Sequence, residues 1–342
     1  MYNHASLAHW MENKDIMDII PTNVDIDLTN NCNQDCYYCI SADFREAYNK
    51  TDITYEHFMK LIQQLATWRK HTPNSYGTLH AITFSGGGEP TLLKNYERVI
   101  ESSIDSGFLT SLTTNGVLLN KLIDNVPSEK LVKMNWVGID IDAGTEDVYE
   151  KIRKSKTIGM FGIVVKNATT LVKLNVPVDF KVLANEYNTN AEQIRDVFSL
   201  AKRIGIRLVY YRPTILHNNI FDINPEITEL IKKYSNEFGV QYKLNISKSI
   251  TRNYSRCYQM FQFPNFCADG NVYTCCDNKG DHKFSIGSWL DSDFRDLWLG
   301  DRHWEVYNSI NTNLCPPCRP NKNNIEIQNC INDRGKIGIL NT

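Results

Sequence analysis

The chain has 342 residues, 42% of them hydrophobic and 22% charged, a length that favours one large domain with one small one. No apolar run approaches the roughly 18 residues that span a bilayer, and the amino terminus lacks the features of a signal peptide. Lys and Arg number 37 against 39 Asp and Glu, a balance that predicts neither a nucleic-acid nor a membrane partner. We expect a cytoplasmic protein, in which ten cysteines favour metal or redox sites over disulfides.

Six short β-branched runs, each followed by a helical pattern, predict repeated β/α units. The runs are Val24–Leu28, His80–Ser85, Leu109–Thr114, Asn135–Asp142, Val178–Leu183 and Arg207–Arg212. Because an eight-unit barrel takes about 250 residues, six units in residues 23–214 predict an α/β fold with a partial (β/α)6 parallel barrel. Functional residues of such folds follow the carboxyl ends of the strands.

The predicted division of the chain has four parts. Residues 1–22 lead into the partial barrel of residues 23–214, residues 215–254 form a connector, and residues 255–342 form a small domain. The connector contains one amphipathic helix and the short strand QYKLNI. In the last part Cys, Gly, Pro and Asn are frequent and periodicity is weak, a pattern typical of a domain stabilised by metal.

Three cysteines lie in the loop after the first predicted strand. Cys32, Cys36 and Cys39 have the spacing C-x3-C-x2-C. Three thiolates on one loop can hold a [4Fe-4S] cluster and leave one iron open for reaction. Zinc is the alternative, but structural zinc sites use four ligands, and this loop has no fourth Cys or His.

With Tyr38 before its third cysteine, this loop resembles the motif of the radical S-adenosylmethionine (SAM) superfamily, and the resemblance spans the whole chain. It implies an enzyme in which the three cysteines ligate the cluster, its open iron chelates SAM, and the Tyr38 backbone lies near the adenine. One electron from the cluster then cleaves SAM to methionine and a 5′-deoxyadenosyl radical, which takes a hydrogen atom from a C–H bond. The implied partner is a flavodoxin- or ferredoxin-type electron donor.

A glycine run ends the second predicted strand, from Gly86 to Gly88, and Glu89 follows it. Consecutive glycines let the backbone approach a ligand closely, and a carboxylate beside them can receive an ammonium group. A tight turn is the alternative. The run is similar to the GGE motif of the family, which implies that Gly87, Gly88 and Glu89 bind the methionyl amine of SAM.

Two further segments are similar to parts of the family. Thr114 and Asn115 belong to a TNG segment at the end of the third strand, and the resemblance implies that they line the pocket. Arg153 resembles an arginine that some relatives direct at the SAM carboxylate. An ordinary salt bridge is the alternative role for Arg153.

Polar residues on the later strands are the candidates for catalysis. Asp140 and Asp142 are two residues apart on the fourth predicted strand, so they are expected to share a face and point into the open lumen. Asp140 is the candidate to grip a substrate hydroxyl or amine. Asp142, Lys181 and His217 join it as candidate general bases.

A second set of cysteines follows the barrel. Cys257, Gly270 and Cys275 form the pattern C-x12-G-x4-C, and a CPPC segment adds Cys315 and Cys318. Two ligand pairs can enclose a [4Fe-4S] cluster completely, and zinc ribbons use the same kind of spacing. Given the first motif, the segment resembles the SPASM and twitch extensions of the family, which implies one auxiliary [4Fe-4S] cluster held by these four cysteines.

Three cysteines have no predicted ligand role. Cys276 is expected to be a small packed residue. Cys330 is an alternative ligand, and Cys267 is a candidate thiol that returns a hydrogen atom to a substrate radical.

The resemblance predicts hydrogen abstraction from a polar small molecule, sugar, aminocyclitol or nucleotide-like, with dehydrogenation or epimerisation as the outcome. A small molecule is preferred because peptide-modifying relatives commonly carry a leader-binding domain before the barrel, where this sequence has about 22 residues. Modification of a ribosomally made peptide is the alternative within the family. A nonenzymatic zinc or iron–sulfur protein is the alternative of another class.

Overall fold

The computed structural model describes residues 7–8, 10–11, 18–47, 51–69, 75–154, 159–216, 219–245 and 252–339. The candidate base His217 lies outside these described residues. None of the helices in the described ranges is both long and apolar enough to cross a membrane.

Strands and helices alternate through most of the described chain. The strands are β1 Asp18–Ile19, β2 Asn23–Asp27, β3 Ser75–Tyr76, β4 Ala81–Ser85, β5 Leu109–Thr114, β6 Trp136–Asp140, β7 Val178–Ala184, β8 Leu208–Pro213, β9 Ile215–Leu216, β10 Asn219–Ile220, β11 Gln241–Leu244, β12 Asn265–Phe266, β13 Asn271–Tyr273 and β14 Ser285–Ser288. The six predicted strands match β2, β4, β5, β6, β7 and β8 to within two residues at each end.

The helices lie mainly between those strands. They are α1 Ala42–Ala47, α2 Tyr55–Ala66, α3 Tyr96–Asp105, α4 Leu119–Asn125, α5 Ser128–Leu131, α6 Glu146–Arg153, α7 Met160–Lys173, α8 Ala191–Ile204, α9 Pro225–Phe238, α10 Phe294–Leu297, α11 Asp301–Ser309 and α12 Asn321–Ile339. Side chains cap several of them: the Asn190 side chain accepts the backbone N–H of Gln193 at the start of α8, and Gly205 ends α8 with a φ of 95°.

The chain forms two compact units. We name Asp27–Asp52 with Thr83–Ile246 the barrel unit, and Met1–Ile26, Ile53–Ile82 and Ser247–Thr342 the terminal unit. In the barrel unit the strand order is β11, β8, β7, β6, β5, β4. The pairings of β5 with β6, β6 with β7, β7 with β8 and β8 with β11 are parallel, which confirms the predicted α/β fold.

Strand β11 is a difference from the sequence prediction. The QYKLNI segment was expected to belong to a connector, but Gln241–Leu244 pairs in parallel with β8 and extends the sheet. The helix α9 before it supplies the right kind of crossover, since parallel neighbours need a long connection. The sheet therefore continues past the sixth predicted strand.

The two faces of the barrel-unit sheet differ in chemistry. Phe180, Val182 and Tyr211 are fully buried, and the Tyr211 ring stacks on Phe198 of α8 at 6.1 Å, so this face packs against helices. Side chains alternate between the faces along each strand. The opposite face, which we name the polar face, therefore carries Lys181 and Arg212.

The terminal unit contains the strand order β2, β12, β13, β14. Strand β12 pairs in parallel with β2 and antiparallel with β13, and β13 pairs antiparallel with β14. Aromatic rings fill its core: Phe261 lies 4.9 Å from Trp10 and 5.1 Å from Trp304 between ring centroids. A small iron–sulfur domain over residues 255–342 stays a prediction.

A buried histidine in this aromatic core leads to a pH prediction. Burial lowers the pKa of His303 to about 4, whereas an imidazole in the unfolded chain titrates near 6.5. Below pH 6.5 the unfolded state therefore binds more protons, and stability falls as the pH drops toward 4. From pH 7 to pH 5 we expect this group to remove about 2 kcal/mol of unfolding free energy.

The His303→Asn variant tests this contribution, because asparagine keeps an acceptor for the Leu299 backbone N–H, 3.2 Å from Nδ1. Urea unfolding at pH 7 and pH 5 is followed by tryptophan fluorescence, to which Trp298 contributes at 4.7 Å from His303. The variant is expected to lose less stability between the two pH values than the parent protein does. An equal loss in both proteins contradicts the prediction.

Candidate functional site

The cysteine loop follows β2 and is fixed by hydrogen bonds to the segment around residue 51. The Asn30 backbone N–H donates to the Thr51 carbonyl at 2.9 Å, and its side-chain amide donates to the Thr51 hydroxyl at 2.7 Å. Thr29 also bonds to Asp52. These contacts fix the start of the loop at the carboxyl end of the strand, where parallel α/β folds commonly have their functional sites.

Cys32, Cys36 and Cys39 are free thiols, each half-buried. Burial raises the pKa of Cys32 to about 11, and the nearby charge of Cys36 acts in the same direction. Burial also raises the pKa of Cys36, and Cys39 adds to this effect. The three thiols are thus close enough to repel one another as thiolates, a cost that a shared metal centre removes.

The glycine run packs directly on the cysteine loop. Gly88 donates its N–H to the Thr29 carbonyl at 3.0 Å, and Glu89 donates to the Asn31 carbonyl at 2.7 Å. A Cβ at Gly88 would overlap the Asn31 carbonyl oxygen, and one at Gly87 would lie 2.7 Å from the side-chain oxygen of Asn30. The atoms that a Cβ would overlap at Gly88 belong to the backbone, so only glycine fits there without moving the loop.

The Glu89 carboxylate is buried and accepts hydrogen bonds from two segments. Its Oε1 accepts the Thr91 hydroxyl at 2.6 Å, the Thr91 N–H at 3.1 Å and the Thr114 hydroxyl at 2.5 Å. Its Oε2 accepts the Asn115 N–H at 2.7 Å. Burial raises the pKa of Glu89, and these donors oppose the rise. Since each oxygen offers about two lone-pair directions, Oε2 keeps room for one more donor.

The structure brings three of the predicted site residues into one buried network. Arg153 pairs with Asp142 at 2.6 Å, with side chains 7% and 0% exposed, and the Tyr38 hydroxyl also donates to Asp142. Asp142 accepts the Leu183 N–H at 2.7 Å as well. Burial alone would lower the pKa of Arg153, but Asp142 and the other negatively charged groups around it together outweigh burial and raise that pKa above its usual value.

This network reaches the cysteine loop through Arg153. The guanidinium lies 3.7 Å from the Cys36 sulfur and 3.5 Å from Gln34 Oε1. Gln34 in turn donates to the Tyr149 hydroxyl at 2.7 Å. The cation therefore bridges the loop and the end of β6, where it also bonds to the Asp140 carbonyl.

The expected shared face of Asp140 and Asp142 is corrected by the backbone. Strand β6 ends at Asp140, and Asp142 lies beyond it with a φ of 56°, in the left-handed region. Strand alternation therefore does not relate the two side chains. Asp142 is held by Arg153, while Asp140 pairs with Lys181 at 3.3 Å.

Positively charged side chains surround the Asp140 carboxylate. Burial alone would raise the pKa of its carboxyl. The charges of Lys181, Arg153 and Arg212 outweigh burial and hold that pKa below its usual value. Lys181 also donates to the Thr113 hydroxyl at 3.3 Å.

The four predicted auxiliary ligands lie together in the terminal unit. Burial raises the pKa of Cys257 to about 11, with Cys315 acting in the same direction. Cys275 and Cys318 each sense the charge of Cys257 and have pKa values raised chiefly by burial. The sequence pairs Cys257 with Cys275 and Cys315 with Cys318 are therefore neighbours in space.

Amide and hydroxyl groups that the sequence reasoning missed contact these sulfurs. Asn278 donates to Cys275 at 3.2 Å, Asn324 to Cys257 at 3.7 Å, and the Tyr254 hydroxyl lies 4.0 Å from Cys318. Asn278 is three residues after its cysteine and was within reach of sequence reasoning. No such signal was available for Asn324 and Tyr254, because each is far along the sequence from the cysteine that it contacts.

The three cysteines without a predicted ligand role differ in their surroundings. Cys276 belongs to the same group, since Cys275 and Cys318 both sense its charge. Cys267 is fully buried in the β12–β13 hairpin, with its thiol 3.9 Å from the Asn265 carbonyl. Cys330 is half-buried on α12.

Within the described residues, no three His, Cys, Asp or Glu side chains converge tightly enough to hold a single metal ion. Zinc needs its thiolates at about 2.3 Å from one centre. A [4Fe-4S] cluster takes each cysteine on a different iron, so its ligands lie farther apart. The cysteines of both groups offer free thiols, the donors that iron–sulfur clusters take, so the chemistry of the donors fits a [4Fe-4S] cluster.

Comparison with known proteins gives three kinds of match. Residues 26–223 match the Radical SAM superfamily. The probable GTP 3′,8-cyclase of Methanocaldococcus jannaschii is 27% identical over 67% of this chain and 68% of its own length. The S-adenosylmethionine-dependent nucleotide dehydratase of Selenomonas ruminantium is 31% identical over 35% of this chain and 39% of its own, less than two thirds of that protein. The crystal structure of Streptococcus suis SuiB bound to precursor peptide SuiA shares the fold, with a TM-score of 0.66 and 14% identity over 88% of this chain and 70% of SuiB.

Proposed function

Because the chain belongs to the Radical SAM superfamily, whose members are enzymes that use a [4Fe-4S] cluster and SAM, we propose that it abstracts a hydrogen atom from a nucleotide-like small molecule. The names of two curated relatives, a GTP cyclase and a nucleotide dehydratase, support a nucleotide-like substrate over the sugar and aminocyclitol alternatives. The likeness to SuiB is one of fold, so modification of a peptide stays the alternative within the family.

The observation that carries the proposal is the packing of the glycine run on the cysteine loop. Cys32, Cys36 and Cys39 would hold the catalytic cluster, since their free thiols lie close together on a loop that the glycine run braces. Bound there, the cluster and SAM would supply the radical chemistry for hydrogen-atom abstraction. Gly87, Gly88 and Glu89 would receive the methionyl amine, for which Glu89 Oε2 keeps one acceptor position.

The residues around Glu89 and Arg153 would orient these groups. Thr114 and Asn115 fix the Glu89 carboxylate by direct hydrogen bonds. Arg153 is committed to Asp142, so we propose that it positions the cysteine loop through Cys36. The hydrogen bond from the Tyr38 hydroxyl to Asp142 would hold the backbone of the loop beside the expected adenine site.

We propose that Asp140 orients Lys181 instead of accepting a proton. A carboxylate whose pKa lies below its usual value is a weak proton acceptor.

We propose that the domain over residues 255–342 holds one auxiliary [4Fe-4S] cluster, with Cys276 beside it. The ligands would be Cys257, Cys275, Cys315 and Cys318. Electrons would arrive from a flavodoxin- or ferredoxin-type protein.

Anaerobic purification with metal and sulfide analysis tests this proposal. The parent protein is expected to bind about eight irons and eight sulfides, four of each per cluster, and to form 5′-deoxyadenosine on reduction with SAM. A variant with Cys32, Cys36 and Cys39 all replaced by Ala is expected to keep about half of the iron and to form no 5′-deoxyadenosine. Zinc without sulfide, or no 5′-deoxyadenosine from the iron-loaded parent, contradicts the proposal.

The substrate class is tested separately with the parent protein. Nucleoside triphosphates are expected to increase the rate of 5′-deoxyadenosine formation, because a bound substrate consumes the radical productively. Stimulation by a peptide and not by any nucleotide would favour the alternative.

A further inference from the structure

The polar face of the barrel-unit sheet carries two cations that the proposed chemistry does not use. We propose that Lys181 and Arg212 form a binding site for a phosphate group of the substrate, with Asp140 as the ion-pair partner that orients Lys181. This inference rests on the proposed function and narrows its substrate to a phosphorylated molecule.

Strand register places the three charged residues on one face. Asp140 of β6 lies directly opposite Lys181 of β7, and Leu183 of β7 lies opposite Arg212 of β8. Opposite residues on paired strands share a face, and so do residues two apart on one strand. Lys181 and Leu183 thus connect Asp140 and Arg212 along the polar face.

The three charged side chains of this face act on one another. Asp140 lies 3.3 Å from Lys181 Nζ, and its carboxyl also senses the charge of Arg212. Arg153, the third cation near Asp140, is already paired with Asp142 at 2.6 Å. Lys181 and Arg212 are therefore the two cations of the polar face that act on Asp140. An anion bound between them would be attracted by both positive charges.

Arg212 also has an unused donor. Its Nε is buried and has no hydrogen-bond partner among the residues that the structure describes. Buried donors in native proteins are almost always paired, so this one indicates a ligand group. A guanidinium presents its donors as a planar fork that matches phosphate oxygens, and the lysine adds a point charge.

An aromatic ring lies at the amino end of β6, beside the polar face. Trp136 begins β6, and its ring lies over Gly138, where a Cβ would overlap it. The same ring lies 6.0 Å from Lys181 Nζ. An anion bound between Lys181 and Arg212 therefore approaches from the carboxyl end of the strands, the end from which the cysteine loop extends.

The carboxylate of SAM is a second anion that such cations attract, and the test separates the two sources. Isothermal titration of the anaerobically reconstituted protein uses inorganic tripolyphosphate and, in a second arm, SAM. We expect Lys181→Ala and Arg212→Ala each to weaken tripolyphosphate binding at least about tenfold, since each removes charge-assisted hydrogen bonds. Their affinity for SAM is expected to change less than about twofold.

A matched control lies just before the same strand. Arg207 precedes β8 at its amino end, is 71% exposed, and lies 3.9 Å from Asp179. Arg207→Ala is expected to bind tripolyphosphate as the parent does. Arg212→Gln keeps much of the side-chain volume and is expected to show the same loss as Arg212→Ala, so a packing defect alone does not account for the result.

Two outcomes overturn the inference. If the variants lose affinity for SAM together with tripolyphosphate, the cations bind the SAM carboxylate. If the parent does not bind tripolyphosphate, or the variants bind it equally well, the site does not take phosphate. Neither outcome touches the proposed radical chemistry, which is tested by 5′-deoxyadenosine formation by the parent without added anion, nor the substrate class, which is tested by stimulation with nucleoside triphosphates.

Discussion

Replacing Arg153 with methionine is expected to lower the free energy of unfolding by about 3–5 kcal/mol, because it leaves a buried carboxylate without its cation. Asp142 is fully buried, and its partner Arg153 is only 7% exposed, so water cannot take the place of the guanidinium. The measurement is urea unfolding followed by circular dichroism, with iron content determined in parallel. Since Arg153 also contacts Cys36, we expect iron binding to weaken as well.

A double variant distinguishes the lost charge pair from lost packing. Asp142→Asn added to Arg153→Met removes the unpaired charge, and asparagine tolerates the φ of 56° at this position. It also keeps an acceptor for the Tyr38 hydroxyl. The double variant is therefore expected to regain most of the stability that the single variant loses. Additive losses, or a single-variant loss below about 1 kcal/mol, contradict the charge-pair account.

Gly88→Ala is expected to reduce 5′-deoxyadenosine formation about a hundredfold, since a displacement of about 1 Å near a reacting centre has effects of that size. The added Cβ would overlap the Asn31 carbonyl oxygen. The Gly88 and Glu89 N–H groups are bonded to the cysteine loop at 3.0 and 2.7 Å, so the turn cannot retreat without breaking them. The measurement is the rate of 5′-deoxyadenosine formation under reducing conditions.

The matched control is Gly162→Ala, at a glycine in helix α7 where an added Cβ would have no neighbouring atom within 4 Å among the residues that the structure describes. Alanine favours a helix interior over glycine by about 0.5–1 kcal/mol, so this variant is expected to be slightly more stable and fully active. If Gly88→Ala forms 5′-deoxyadenosine at the parent rate, the close approach of the two loops is not needed.

Local patterns in the sequence were sufficient for the strands of the barrel unit. Leu109–Thr114 was predicted to the residue, because a β-branched run followed by Asn-Gly marks both the strand and its end. The position of Glu89 beside the cysteine loop followed from the likeness of its motif to that of a family. Strand β11 was predicted as the short strand QYKLNI of a connector, but its pairing with β8 was not, because that pairing is set by tertiary contacts that a four-residue run does not reveal.

The ion pairs of the site were beyond sequence reasoning for a different reason. Arg153 was assigned by resemblance to the SAM carboxylate, and nothing local indicated that Asp142 would lie beside it. The positive φ of Asp142 turns the chain out of the strand and removes the alternation on which the prediction relied. Such contacts depend on where a loop folds back, which composition and periodicity do not encode.

The parallel pairing of β12 with β2 has a consequence for how the chain is made. Asn265 and Phe266 pair with Asp25 and Ile26. Strand β2 is synthesised early, and its partner β12 is synthesised late, so this edge of β2 stays unpaired until the β12–β13 hairpin has been made. Domains fold from the amino terminus during translation, and an unpaired strand edge is a site of aggregation until it is covered. We expect nascent chains to depend on chaperones until the β12–β13 hairpin leaves the ribosome.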